Sequence, residues 1–165
     1  MRLIRFKKCE DVDAKSLIAP KYATDGSGCF DIFSIEQDTV GLSNQTRIFR
    51  TGLIPEVPEG WVLLLFSRSG HGFKHDVRLA NCVGVIDSDY RGEIKVKLTA
   101  DSCGHFTLNQ GDAIVQGLLV EAHKWEIQLI LDDAVKLSET GRGDKGFGST
   151  DVKRNFIGMS QGETK

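Results

Sequence analysis

The spacing of the apolar runs constrains this chain most: they are short, mostly of period two, and repeatedly cut by turn residues. Glu93-Ile94-Lys95-Val96-Lys97-Leu98 alternates strictly, as a strand with one wet face does. Val62-Leu63-Leu64-Leu65-Phe66 instead reads as a strand covered on both faces. Similar runs occupy Leu3 to Phe6, Cys29 to Ile35, Arg47 to Ile54, Trp61 to Phe66, Cys82 to Ile86, Ala113 to Val120 and Ile127 to Leu131. Asp25-Gly26, Pro55, Pro58 to Gly60, Ser69 to Gly72 and Asn109 to Asp112 separate them with residues that favour turns. One stretch, Phe73 to Asn81, leaves room for a short helix. The predicted architecture is all-β, a jelly-roll-like barrel or sandwich with at most one short helix. From Ser138 the pattern dissolves into glycine-rich sequence, so a β domain over 1–137 and a flexible arm over 138–165 are expected.

Charge and composition remove several function classes. A formal charge of −2 lacks the basic surplus of a general nucleic-acid binder. No apolar window approaches the ~18 residues of a membrane span. The opening MRLIRFKKCED has no apolar segment of secretory type, so a cytoplasmic protein is expected. Cys9, Cys29, Cys82 and Cys103 are scattered singly, which suits free thiols and not zinc or redox pairs. His71 and His75 share the i, i+4 spacing of a helical metal pair, but no H-E-x-x-H core surrounds them. A phosphate-bearing small molecule needs only a few local cations, and Arg68, Arg142 and Lys145 stand in glycine-rich surroundings.

Several segments suit such a ligand. Glycine lets the backbone approach phosphate oxygens, as Ser69-Gly70 and Gly146 to Thr150 could, while arginine adds a planar fork at Arg68 and Arg142. Gly84-Val85-Ile86-Asp87-Ser88-Asp89-Tyr90-Arg91-Gly92-Glu93 is a candidate β-hairpin whose turn carries two carboxylates and a tyrosine. Each piece also has a plainer reading: an acidic tip capped by Asp side chains, a Tyr90 packed across the hairpin, an Asp31 bonding local amides.

In order along the chain stand Gly28-Cys29-Phe30-Asp31, Arg68-Ser69-Gly70, the Gly84 to Glu93 segment, Gly111-Asp112 with Gln116, and Arg142-Gly143-Asp144-Lys145-Gly146-Phe147-Gly148-Ser149-Thr150. Together they resemble the five ordered motifs of trimeric dUTPases over roughly residues 20 to 151. Lys74 to Asn81 is similar to the family's connecting K-H-G-x-x-L-A-N. The resemblance implies hydrolysis of dUTP to dUMP and pyrophosphate, which limits uracil in DNA and supplies dUMP for thymidylate synthesis. It implies Asp87 as the residue directing the attacking water, and magnesium (Mg2+) with Asp31 holding its water shell. Arg68, Ser69, Gly70, Gln116, Arg142, Gly148, Ser149 and Thr150 would bind substrate. The main chain of Gly84 and Lys95, with the Asn81 side chain, would read uracil; Tyr90 would lie beneath the deoxyribose, and Phe147 would close over the base. A homotrimer with sites shared between subunits is implied as well.

The chain also departs from the family pattern. Cys29-Phe30 replaces the usual approach to Asp31, and His71-Gly72 stands where an apolar residue and alanine are common, so looser local packing is expected. Lys145 adds a cation to the tail motif. Residues 152–165 are either a plain terminus or a segment docking on a protein partner through Phe156, Ile157 and Met159. Two other activities compete: the related dCTP deaminase, and a nucleotide-responsive binding protein working through that extension.

Overall fold

The computed structural model describes residues 3–41, 45–102 and 105–144. Strand β1 (Arg5–Lys8) is followed by one 3-10 turn at Ala14–Ser16, capped by the Asp13 carboxylate accepting from the Lys15 amide at 3.0 Å. Then come β2 (Lys21–Tyr22), β3 (Phe30–Phe33), β4 (Asp38–Gly41), β5 (Thr46–Arg50), β6 (Leu53–Glu56) and β7 (Trp61–Phe66). Helix α1 (Ser69–His75) precedes β8 (Val77–Leu79), β9 (Val83–Ile86), β10 (Lys95–Ala100), β11 (His105–Leu108) and β12 (Ala113–Glu121). Among the described residues the chain adopts the expected all-β class with one short α-helix.

Five strands form one sheet in the order β2-β3-β12-β7-β9, and three form another in the order β5-β10-β8. The pairs β1-β6 and β4-β11 complete the set, and every pairing is antiparallel. Period-two burial explains the core between them. Val96 and Leu98 of β10 are buried while Lys95 and Lys97 are exposed, so the alternation predicted there holds. Ile32, Leu63 and Val115 from the larger sheet and Phe49, Val77 and Leu98 from the smaller belong to one buried cluster. Each such side chain removed from water contributes about 1.5–3 kcal/mol before chain entropy is counted.

Four expectations need correction. The helix lies at Ser69–His75 and not at Phe73 to Asn81. Asp76 ends it in the left-handed region at φ 53, and Val77–Leu79 alternates buried, exposed, buried against β10. The Arg47 to Ile54 run is two strands, broken at Thr51-Gly52, where Gly52 has φ +69 and a Cβ would meet Leu17 Cδ2 at 2.8 Å. Pro55 lies inside β6, opposite Phe6, in a two-stranded ribbon that spares its missing N–H. Finally, β9 and β10 are not a paired hairpin: β9 pairs with β7, and β10 with β5 and β8, so Asp87 to Ile94 crosses between sheets.

The chain divides into compact units at Met1–Trp125 and Glu126–Lys165. In the second unit the predicted Ile127 to Leu131 strand does not form: these residues are in no strand, and Ile127, Leu129, Ile130 and Leu131 are exposed.

Candidate active site

Three adjacent strands bring the first group together. Residue pairing across β3, β12 and β7 runs Asp31, Gln116, Phe66, and Arg68 follows two residues after Phe66. Gln116 Nε2 donates to Asp31 Oδ1 at 3.4 Å, and Arg68 Nε faces the same oxygen at 3.3 Å. The Arg68 side chain also donates through Nη1 to the Ala113 carbonyl at 3.2 Å. Every residue of β3 is buried, so a carboxylate there requires such partners. The plainer reading of Asp31, bonding local amides, gives way to long-range contacts with a cation and an amide.

Arg68 is the N-cap of α1, and Ser69 and Gly70 form its exposed first turn. A Cβ at Gly70 would meet no atom within 4 Å, so the backbone here is open to approach. His71 is buried beside this turn, its ring 4.8 Å from that of Phe106. The looser packing expected of His71 is therefore not found, although Gly72 does leave open space around its α-carbon. Burial, then the Arg68 cation, push the His71 pKa down to about 4.

The second group surrounds the crossing from β9 to β10. Asn81 Nδ2 donates to the Val83 carbonyl at 3.3 Å across Cys82, which has φ 63. Gly84 pairs with Leu65, where a Cβ would meet Leu65 Cβ at 3.0 Å, so glycine fits the close approach. Strand β9 is the edge of its sheet, and Lys95 opens β10 opposite Arg50. Asp87 is exposed at the turn that follows β9, its carbonyl accepting the Tyr90 amide at 3.2 Å. With Ser88, Asp89, Arg91, Arg5 and Glu56 it lines a surface cleft of about 1060 Å³. The Tyr90 hydroxyl donates to the Glu93 carbonyl at 3.0 Å, and a Cβ on Gly92 would collide with the Tyr90 ring and hydroxyl. Tyr90 thus folds back onto its own turn and does not pack across paired strands.

Arg142 is exposed in the second unit, next to Gly143 at φ 57. Lys145, Phe147, Gly148, Ser149, Thr150, Phe156, Ile157 and Met159 lie outside the described residues, as does Cys103.

Sequence reasoning missed Glu93. Its place in an alternating run reads as solvent-facing, yet its side chain is only 9% exposed. It accepts from Arg50 Nε at 3.0 Å and from the Gly52 amide at 2.8 Å. The break at Thr51-Gly52, next to an arginine, was the available signal of a chain bend needing an acceptor.

A family model described as dUTPase matches residues 15–151. The chain belongs to the dUTPase family. The deoxyuridine 5'-triphosphate nucleotidohydrolase of Finegoldia magna is 39% identical over 132 residues, covering 79% of this chain and 90% of that protein. The protein of the same name from Helicobacter pylori is 36% identical over 147 residues, covering 89% and 97%. Among solved structures, a Staphylococcus bacteriophage 80alpha dUTPase with dUPNHPP superposes with a TM-score of 0.78 at 23% identity, covering 92% of this chain and 100% of that one. A variant of the dUTPase from phage phi11 of S. aureus, described with a structural Mg(II) ion, gives 0.69 at 19% identity, covering 80% and 99%. The jelly-roll fold is therefore shared with these dUTPases, and the chain is a dUTP diphosphatase, an enzyme that hydrolyses dUTP.

Proposed function

We propose that the enzyme produces dUMP and pyrophosphate by in-line attack of a water on the α-phosphorus of dUTP, with Asp87 directing that water. The observation that carries this reading is the Asp87 to Glu93 crossing, which presents an exposed carboxylate beside a pinned aromatic ring. The water oxygen bonds to phosphorus as the bond to the pyrophosphate oxygen breaks, and the Asp87 carboxylate accepts or steers the water's proton. Arg68 offers its guanidinium to the phosphates, Asp31 and Gln116 steady it, and the open backbone of Ser69 and Gly70 admits oxygens closely.

The base enters beside the open edge of β9, where main-chain groups of Gly84 and Lys95 read uracil and Asn81 assists. Tyr90 fills the space that a 2′-hydroxyl would need. Arg142, Phe147, Gly148, Ser149 and Thr150 act from the arm, which closes over the bound nucleotide.

Among the described residues no group of three or more His, Cys, Asp and Glu side chains is placed to hold a metal. Asp31 is the residue that would hold magnesium, a cation that needs few protein carboxylates because it keeps much of its water. The chemistry it supplies when bound is neutralisation of phosphate charge. Asp31 would hold its water shell.

A homotrimer with shared sites fits the second unit. Its Ile127, Leu129 and Leu131 alternate along the chain and are 95%, 79% and 84% exposed. An apolar stripe of this kind is stable when another copy covers it. No helix among the described residues is long and apolar enough to cross a membrane. Free Cys9, Cys29 and Cys82 suit the reducing cytoplasm, where the enzyme would limit uracil in DNA.

Pyrophosphate release from dUTP, UTP, dTTP and dCTP with magnesium tests the reading, and release is expected from dUTP alone. Asp87→Asn should lower kcat at least about 100-fold with KM changed less than about threefold. Equal rates on the four nucleotides would sink the selectivity, near-normal turnover would remove Asp87 from its role, and ammonia from dCTP would mark a deaminase.

A further inference from the structure

Glu93 joins two functions in one residue. Its carboxylate accepts from Arg50 Nε at 3.1 and 3.0 Å through its two oxygens, and from the Gly52 amide at 2.8 Å. Arg50 is fastened in turn to Asp11, donating from Nη2 at 3.0 Å. The next residue is clamped as well: the Ile94 amide donates to the Leu53 carbonyl at 2.9 Å, and Thr51 Oγ1 donates to the Ile94 carbonyl at 2.7 Å. Five contacts therefore bind Glu93-Ile94 to the bend at Arg50 to Leu53, where a Cβ on Gly52 would meet Leu17 and Val12. On its other side, the Glu93 carbonyl is the acceptor for the Tyr90 hydroxyl at 3.0 Å.

Through the Glu93 carbonyl these contacts tie the bend to a ring that is otherwise 42% exposed on a turn. A free tyrosine there would have two side-chain torsions to vary. Here the hydroxyl is tied to a fixed carbonyl and the ring rests on the α-carbon of Gly92, with no room for a Cβ between them. A small tilt would be enough to admit one additional hydroxyl on a sugar, since exclusion by a wall depends on the wall staying in place.

We propose that Glu93 is the positioning residue for Tyr90, and that the Arg50–Glu93 clamp thereby sets discrimination between deoxyribo- and ribonucleoside triphosphates. This rests on the dUTP reading above. Arg50 and Glu93 bind no substrate; they act by holding Tyr90.

The test measures kcat and KM of the full-length enzyme on dUTP and UTP for the wild type, Glu93→Gln, Tyr90→Phe and the double variant. Tyr90→Phe removes one exposed hydroxyl and keeps the fold, so the comparison survives if Glu93→Gln folds poorly. Losing one hydrogen bond is worth about a threefold to tenfold fall in the dUTP to UTP ratio of kcat/KM. That fall is expected in each single variant, chiefly through a lower KM for UTP, and the double variant should match the stronger single one. Parallel losses on both nucleotides, with the ratio within about twofold of the wild type, would overturn the proposal, as would multiplying effects in the double variant. A wild type that hydrolyses UTP as well as dUTP would instead defeat the sugar-selection reading on which it stands.

Discussion

His71 is buried beside Arg68, where a second cation is unwelcome. Burial first, then Arg68 and His75, push its pKa down to about 4, against weaker pulls from Asp112 and Asp31. In the unfolded chain it takes up a proton near ~6.5. Because the folded pKa is depressed, the unfolded state binds more protons between those values. Stability contributed by neutral His71 is complete above pH about 6.5 and is lost as the pH falls toward about 4. Screening at a partly wet site limits the loss to on the order of 1–2 kcal/mol. His71→Leu should therefore narrow the difference in urea midpoint between pH 7 and pH 5, and an unchanged difference would assign the acid sensitivity to other groups. Gly92 is tested separately: Gly92→Ala must displace the Tyr90 ring. It should lower the dUTP to UTP selectivity about tenfold with little effect on the thermal midpoint, since the turn is at the surface. Selectivity equal to wild type would show that the ring's resting place is immaterial.

At the scale of elements, Ile127, Leu129 and Leu131 form an exposed apolar run that lies in no strand. If the proposed trimer packs through this segment, Ile127→Asp combined with Leu129→Asp should lower the mass seen in light scattering while the far-ultraviolet dichroism of the β unit is retained. An unchanged mass would remove this segment from the proposed subunit contact. The same segment shows what a sequence can and cannot say. The period of two was legible for Glu93 to Leu98, most of which lies in β10, whereas the same alternation at Ile127 to Leu131 made no strand. Whether a strand finds its partner in the same chain is not encoded in its own pattern. The Asp87 to Ile94 crossing was misread for that reason: two strands flanking a turn suggest a hairpin, but β9 and β10 pair into different sheets. Two-residue β2 and the short β4, β8 and β11 carry too few side chains to show a period. The helix was displaced because Gly70 and Gly72 argue against helix by propensity, and the burial of His71 against Phe106 overrides them. The Arg68-Ser69-Gly70 motif is written in adjacent residues and so stands out in the sequence, whereas Glu93 works through Arg50, 43 residues away.

At the scale of the whole molecule, the two residue groups hang on different parts of the fold. Asp31 and Gln116 sit across the middle of the five-stranded sheet with Arg68 just past the end of β7, while Asp87 and Tyr90 lie in the segment that leaves the sheet's edge for the second sheet. A trimer that shares its sites would take the first group from one subunit and the second from its neighbour. This arrangement makes a prediction that one-subunit sites do not. Arg68→Ala and Asp87→Asn enzymes should each be nearly inactive, because each lacks one half of every site. Unfolding them together in equal amounts and refolding mixes the chains. A shared site is intact when the subunit giving Arg68 carries the Asp87→Asn change and its neighbour carries Arg68→Ala. With random mixing that occurs in about one quarter of sites, so about a quarter of wild-type activity should return. If both residues served the same site from one chain, no mixture could place two intact residues together, and activity would stay at the level of the single variants.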